Sequence, residues 1–231
     1  FLKYTSKLIM IKQLECVQPT INNKKSEKRE LVLNTGFGLV EYNAINISFT
    51  KVSLPKRIEN GIFTSQNAVA AIKDKNIEIE RVFCVGQNTR KALENLGYNV
   101  MLHAEHSRAL GQKITIQYPE ATFTFFCGNK RRDALPELLH KHNINLTEIE
   151  VYKTSLNIKE FQRTFNAIMC FSPSGVQSYF GANKPQKETI VCIGNTTATA
   201  AKLYTDQIAI ANTTSIESVI AKTVKVLNKT F

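Results

Sequence analysis

At five places in this sequence an apolar run gives way at once to small polar residues. They are Phe63-Thr64-Ser65-Gln66-Asn67, Val85-Gly86-Gln87-Asn88-Thr89, Cys127-Gly128-Asn129-Lys130-Arg131, Ser172-Pro173-Ser174-Gly175 and Gly194-Asn195-Thr196-Thr197. Each reads as the end of a strand, a residue that permits a tight turn, and then hydroxyl or amide groups opening a helix. The first turn of a helix has unpaired backbone N–H groups, so such joints can hold anions. Any one of them is equally an ordinary helix cap, because Ser, Thr and Asn are the preferred N-cap residues. Five in one chain favour a ligand with several separated carboxylates. Other chemistries lack their residues. No GxxxxGK[ST] and no GxGxxG follows a strand, so phosphate-cradle chemistry is not indicated. No GxSxG elbow occurs, and Ser174 has no evident His and Asp partners for a serine triad. The acid–base candidate is Tyr152, in Glu150-Val151-Tyr152-Lys153-Thr154, although a strand tyrosine is often only a half-buried packing residue.

Elements that could position these joints follow from the hydrophobic pattern. Short runs rich in Val, Ile and Phe alternate with stretches of helical period, the sign of an α/β protein with parallel sheets. Strands are expected at Leu14 to Val17, Leu39 to Tyr42, Gly61 to Thr64, Arg81 to Val85, Asn99 to Leu102, Thr122 to Cys127, Ile149 to Thr154, Ala167 to Phe171, Thr189 to Ile193 and Gln207 to Ala211. Helices are expected to begin at Ser65 and near Asn88, Lys130, Ser174, Asn195 and Ser215. Two joints recur at one offset. Phe63-Thr64 matches Phe171-Ser172, and Cys84-Val85-Gly86 with Thr89 matches Cys192-Ile193-Gly194 with Thr197; both shifts are 108 positions (63 to 171, 84 to 192). Two similar α/β halves explain this. The C-terminal part has three expected strands and needs the two before Phe49 to make a covered sheet. The expected division is therefore a discontinuous domain of residues 1–42 plus 157–231, an inserted domain of residues 54–147, and a two-stranded linker of residues 43–53 and 148–156 acting as a hinge.

Composition sets the outer limits. An apolar fraction of 43% with 21% charged residues is that of a globular protein, and no run approaches the roughly 20 apolar residues of a membrane span. The opening FLKYTSKLI lacks a secretory pattern, so it reads as a fragment edge with the ordered fold starting near Met10, in a cytoplasmic protein. Five cysteines (Cys16, Cys84, Cys127, Cys170, Cys192) form no CxxC pair, and most lie in apolar runs, as buried thiols in a reducing compartment do. His103 with His106 and His140 with His142 are the only pairs near metal-ligand spacing; both lie in polar surroundings, and no metal is expected. The net charge of +11 favours acidic partners, since a positive field concentrates anions in a cleft. Nucleic acid is disfavoured, because the aromatics fall in strands and are not interleaved with Arg on an exposed face. A monomer that meets neither nucleic acid nor membrane is expected. A hinged, non-catalytic binding protein for an acidic small molecule is the alternative, and would ordinarily carry a secretion signal.

The joints together resemble the uroporphyrinogen-III synthase family. The resemblance is carried by Phe63-Thr64-Ser65 with Ala68-Val69, Val85-Gly86 with Thr89, Cys127-Gly128-Asn129 with Arg131-Arg132 and Leu135-Pro136, Val151-Tyr152-Lys153-Thr154, Phe171-Ser172-Pro173-Ser174-Gly175-Val176, and Ile193-Gly194 with Thr196-Thr197-Ala198. They arrive in family order from about residue 36 onward. The family's first strand and its Thr-Arg or Ser-Thr turn are represented only by Cys16-Val17-Gln18-Pro19-Thr20. The resemblance implies two flavodoxin-like parallel-sheet domains on a two-stranded linker, with the active site in the interdomain cleft and no cofactor. It implies the substrate hydroxymethylbilane, a linear tetrapyrrole bearing eight carboxylates. In the family's reaction the terminal hydroxyl leaves as water, an azafulvene cation forms, and ring D attacks through its substituted carbon to give a spiro intermediate, so that closure inverts ring D. By the same resemblance Tyr152 assists hydroxyl departure, and Thr64, Ser65, Thr89, Gly128, Asn129, Ser172, Ser174, Thr196 and Thr197 meet the substrate.

Overall fold

The computed structural model describes residues 7–13, 37–131 and 133–228. In chain order the elements are β1 (Lys7–Gln13), β2 (Phe37–Asn43), β3 (Ile45–Phe49), β4 (Arg57–Phe63), α1 (Gln66–Ile72), β5 (Glu78–Val85), α2 (Gln87–Glu94), β6 (Val100–Ala104), α3 (Ser107–Gln117), β7 (Phe123–Gly128), α4 (Ala134–Lys141), β8 (Leu146–Leu156), β9 (Ala167–Cys170), α5 (Pro173–Phe180), β10 (Thr189–Cys192), α6 (Asn195–Ala201), β11 (Ile208–Ile210) and α7 (Ile216–Leu227). The chain divides into two compact units, Phe1–Asn46 with Ser155–Phe231, and Ile47–Thr154. Both boundaries fall inside strands, β3 and β8, which are neighbours in one sheet.

The second unit is built on the sheet β3-β8-β7-β4-β5-β6, in which β8, β7, β4, β5 and β6 are parallel. Numbered from β4, the parallel strands lie in the order 3-2-1-4-5 and not in the flavodoxin order 2-1-3-4-5. Both orders are doubly wound, and both have a switch point where successive connections leave in opposite directions. Here it lies between β4 and β7. Central parallel strands are covered on both faces, so they read as apolar runs without strict alternation. Accordingly β7 (FTFFCG) buries five of its six residues. Phe63 and Phe126 stack across the β4–β7 pair with ring centroids 4.8 Å apart. One face of the sheet packs on α1 and α2 through Val69, Ile72 and Leu93, the other on α3 and α4 through Leu110, Ile114, Leu135 and Leu139. Each such side chain contributes on the order of 1.5–3 kcal/mol when fully buried.

The first unit carries the sheet β11-β10-β9-β1-β2. Strands β9, β10 and β11 are parallel, whereas β1 runs antiparallel to both of its neighbours. Within this sheet β1 departs from the parallel arrangement expected from the sequence. An antiparallel neighbour can be joined without the covering crossover helix that a parallel one requires. The expected strand Leu14 to Val17 lies outside the described residues; β1 is the earlier run KLIMIKQ, whose four apolar residues are too short for periodicity to assign. The two joints repeated at 108 positions fall on β4-α1-β5-α2 and β9-α5-β10-α6. In each set the two strands are parallel neighbours and both helices pack on one face, against one core cluster.

Helix starts agree with the sequence at Ser65 and Ser215, and the helix expected near Ser174 begins at Pro173 with Ser172 as its cap; the side-chain oxygens of Ser65, Ser172 and Ser215 accept bonds from Asn67, Gly175 and Ser218 N–H. The helix expected near Lys130 begins instead at Ala134. Starting at Lys130 would place Pro136 beyond the first turn, where its missing N–H and its ring break the helix; starting at Ala134 keeps it within that turn.

The four described cysteines, Cys84, Cys127, Cys170 and Cys192, are all free and buried. Burial pushes the Cys84 and Cys127 thiols from the ordinary value of 9.0 up to about 11 and Cys192 up to about 12. An unfolded thiol releases its proton near pH 9 while these keep theirs, so the folded state binds more protons and stability falls as pH rises from about 9 to about 12. The contribution is complete below pH 9. Melting scans are expected to show a Tm that declines through this window, and a thiol reagent at pH 8 should label these four only on unfolding. Rapid native labelling would contradict the burial.

Candidate active site

In open parallel sheets ligands sit beyond the carboxyl ends of the strands at the switch point. In the second unit a cavity of about 460 Å³ opens there, lined among others by Thr64 and Ser65 after β4, His106 and Arg108 at the start of α3, Lys130 after β7, and Tyr152 on β8. Gly128 and Arg131 also line it. The lining therefore includes Thr64, Ser65, Gly128 and Tyr152 of the residues singled out in the sequence.

The placement of Tyr152 is made by its neighbours. Along the β7–β8 pair Cys127 opposes Glu150 but Gly128 opposes Tyr152, so Val151 is an extra residue on β8. A β-bulge of this kind breaks the strict alternation of faces and re-aims the following side chain. Val151 and Tyr152 consequently pack on the same core cluster, which a regular strand would not allow. The tyrosine ring then lies directly on Gly128. A methyl group at residue 128 would come within 2.4 Å of Cζ, 2.5 Å of Cε2 and 2.9 Å of the phenolic oxygen. Only glycine permits that approach. The hydroxyl has no hydrogen-bond partner among the described residues.

Asn129 and Arg131 are committed to the protein. The Asn129 amide oxygen accepts from Thr154 N–H at 2.8 Å, and its Nδ2 reaches the Thr154 carbonyl at 3.3 Å. The side chain thus mimics one more backbone pair just past the bulge, where the β7–β8 ladder would otherwise stop. Arg131 is bridged to Asp133 and Glu148, its Nη2 donating to Glu148 Oε1 at 3.0 Å, so most of its charge is neutralised within the protein. Arg132 lies outside the described residues.

The other implied contacts divide by burial. Thr89 and Thr197 are each 3% exposed, three residues after the N-cap glycines Gly86 and Gly194, and sit within the helix–sheet layers. Gly86 has φ +84°, a conformation that side-chain-bearing residues rarely adopt, and this turns the chain from β5 into α2. In the first unit Ser172 and Ser174 are half-buried at the start of α5, with Ser172 capping Gly175 N–H at 3.2 Å, and Thr196 is exposed at the start of α6.

The sequence reading weighed His106 only as a metal ligand and did not single out Arg108. Their joint, Ala104-Glu105-His106-Ser107-Arg108, is also a strand end opening a helix, but its N-cap, His106, makes no side-chain cap bond. The signal available was position after a strand together with one hydroxyl, that of Ser107. His103 and Glu105 approach to 3.7 Å, and no group of three metal-ligating side chains occurs among the described residues. No helix among the described residues is long and apolar enough to cross a membrane.

The family model of uroporphyrinogen-III synthase HemD matches residues 26–221. Among solved structures, uroporphyrinogen-III synthetase from Helicobacter pylori is similar with a TM-score of 0.63 at 18% identity, covering 79% of this chain and 91% of that one. A mutant uroporphyrinogen III synthase from the extremely thermophilic bacterium Thermus thermophilus is similar with a TM-score of 0.56 at 12% identity, covering 88% of this chain and 95% of that one. At these identities the likeness is one of fold. A comparison with curated proteins finds no match. The family model spans most of the sequence, from before β2 into α7, and on that match the chain belongs to the uroporphyrinogen-III synthase family.

Proposed function

We propose that this chain closes hydroxymethylbilane to uroporphyrinogen III, with inversion of ring D and loss of water, in tetrapyrrole (haem) biosynthesis and without a cofactor. The observation that carries the reading, beside family membership, is Tyr152 held across Gly128 at a cavity bordered by strand-end donors and cations. Tyr152 is the proton donor: as the C–O bond of the terminal hydroxymethyl group breaks, its phenolic proton goes to the departing oxygen, which leaves as water. The bonding pair leaves with the oxygen, and the remaining azafulvene cation is the electrophile that ring D attacks. A proton lost from the cyclised tetrapyrrole restores the phenol.

Thr64, Ser65 and the Gly128 backbone serve the substrate in the second unit, and Ser172, Ser174 and Thr196 present the corresponding donors of the first unit. The competing reaction is direct closure to the type I isomer, so holding the chain bent is as important as acid catalysis. The protein acts as a cytoplasmic monomer on a small acidic molecule and needs neither nucleic acid nor membrane; the buried thiols support a reducing compartment. A coupled assay with freshly generated hydroxymethylbilane, followed by oxidation and separation of uroporphyrin isomers, tests the proposal. Type III is expected to predominate only when the protein is present. Type I alone from folded protein would leave the hinged binding protein as the reading.

A further inference from the structure

The geometry points to Arg108 and Lys130 as a two-cation anchor that holds one carboxylate arm of the ligand in the cavity of the second unit. Among the described residues three basic side chains with permanent charge line this cavity, Arg108, Lys130 and Arg131, and they are not equivalent. Arg131 is bridged to two carboxylates. Arg108 and Lys130 are exposed, and among the described residues neither makes an ion pair or hydrogen bond through its side chain. Glu137 shares a neighbouring hollow of about 290 Å³ with Arg108 but forms no ion pair with it. Glu105, the one carboxylate residue on the cavity among the described residues, has a side chain 72% exposed, so water screens much of its opposing charge.

The two cations come from different connections, Arg108 from the first turn of α3 and Lys130 from the turn after β7 that Arg131 N–H closes on the Gly128 carbonyl at 3.1 Å. A carboxylate between them would accept charge-assisted bonds from both, with the unpaired N–H groups of an 11-residue helix, α3, on the same side. Such an anchor acts equally on bound substrate and on the transition state. Its loss should therefore raise KM with kcat little changed, unlike loss of a proton donor.

This inference rests on the proposed function for its ligand, and its test reads binding separately from turnover. The probe is uroporphyrin III, the oxidised macrocycle that keeps the carboxylates, titrated into the full chain and followed by its own absorption. Arg108→Ala and Lys130→Ala are each expected to weaken binding about three- to ten-fold and the double variant about thirty-fold, the range of exposed charge-assisted contacts. KM for hydroxymethylbilane should rise in parallel with kcat changed less than about three-fold. Lys130→Arg, which keeps the charge, should retain most of the affinity. A folded double variant, with unchanged circular dichroism and Tm, that binds uroporphyrin III as the unaltered chain does overturns the anchor. If the unaltered chain forms no type III isomer yet loses uroporphyrin binding with the two cations, the anchor stands and the synthase reading falls.

Discussion

Tyr152→Phe is expected to lower kcat by about 10²- to 10³-fold while KM changes little, because general acid catalysis typically supplies about 10²–10⁴ and the ring itself remains in place. The variant keeps the apolar surface that packs on the core of the second unit, so its Tm should lie close to that of the unaltered chain. No hydrogen bond to the hydroxyl is lost, since none is formed among the described residues. The measurement is single-turnover conversion of hydroxymethylbilane with the isomers resolved. The fraction of type I should rise, because spontaneous closure then overtakes the slowed enzyme. Near-normal turnover would remove the acid role from Tyr152 and leave the family and the fold as they are.

Gly128→Ala should be nearly as damaging, although alanine adds only one methyl group. That methyl would stand 2.4–2.9 Å from three atoms of the Tyr152 ring, distances at which something must move. The ring is the part able to swing, because the backbone beside it is held by the β7–β8 ladder and by the Asn129 clamp on Thr154. The phenol would leave its position, and kcat should fall by about 10²-fold, the cost of misplacing a catalytic group by about an ångström. The double variant Gly128→Ala, Tyr152→Phe separates this from general damage. If the glycine acts through the tyrosine, the two losses will not multiply, as is usual for residues that work as a unit. A double variant showing the product of the two losses would mean that Gly128 acts independently, through its backbone or through stability.

The pattern of strand ends and helix starts was open to sequence reading because it is local. A Ser at the N-cap bonds an N–H two or three residues on, so Ser65 and Ser215 announce their helices within one turn, and the helix expected near Ser174 starts one residue earlier, capped by Ser172. The 108-residue repeat and the order of the joints were legible for the same reason, and they were enough to expect an α/β fold and a family. The reversed direction of β1 was not legible, because a short apolar run carries no sign of which neighbour it pairs with or in which sense.

Within the site, identity and use parted company. The sequence alone determined that donors and cations follow β4 and β7 and that a tyrosine lies in the strand near them. Only the tertiary structure decided what each is free to do. Glu148 reaches Arg131 from 17 residues away, Thr154 takes up the Asn129 amide from 25 residues away, and one extra residue in β8 lays Tyr152 on Gly128. Arg108 and Lys130 keep their charge unpaired because no carboxylate from another element forms an ion pair with them among the described residues. Caps and turns are settled by hydrogen bonds within a few residues. Neutralisation, burial and close approach depend on which distant segments the sheet brings side by side, and strand order and register are properties of the assembled sheet.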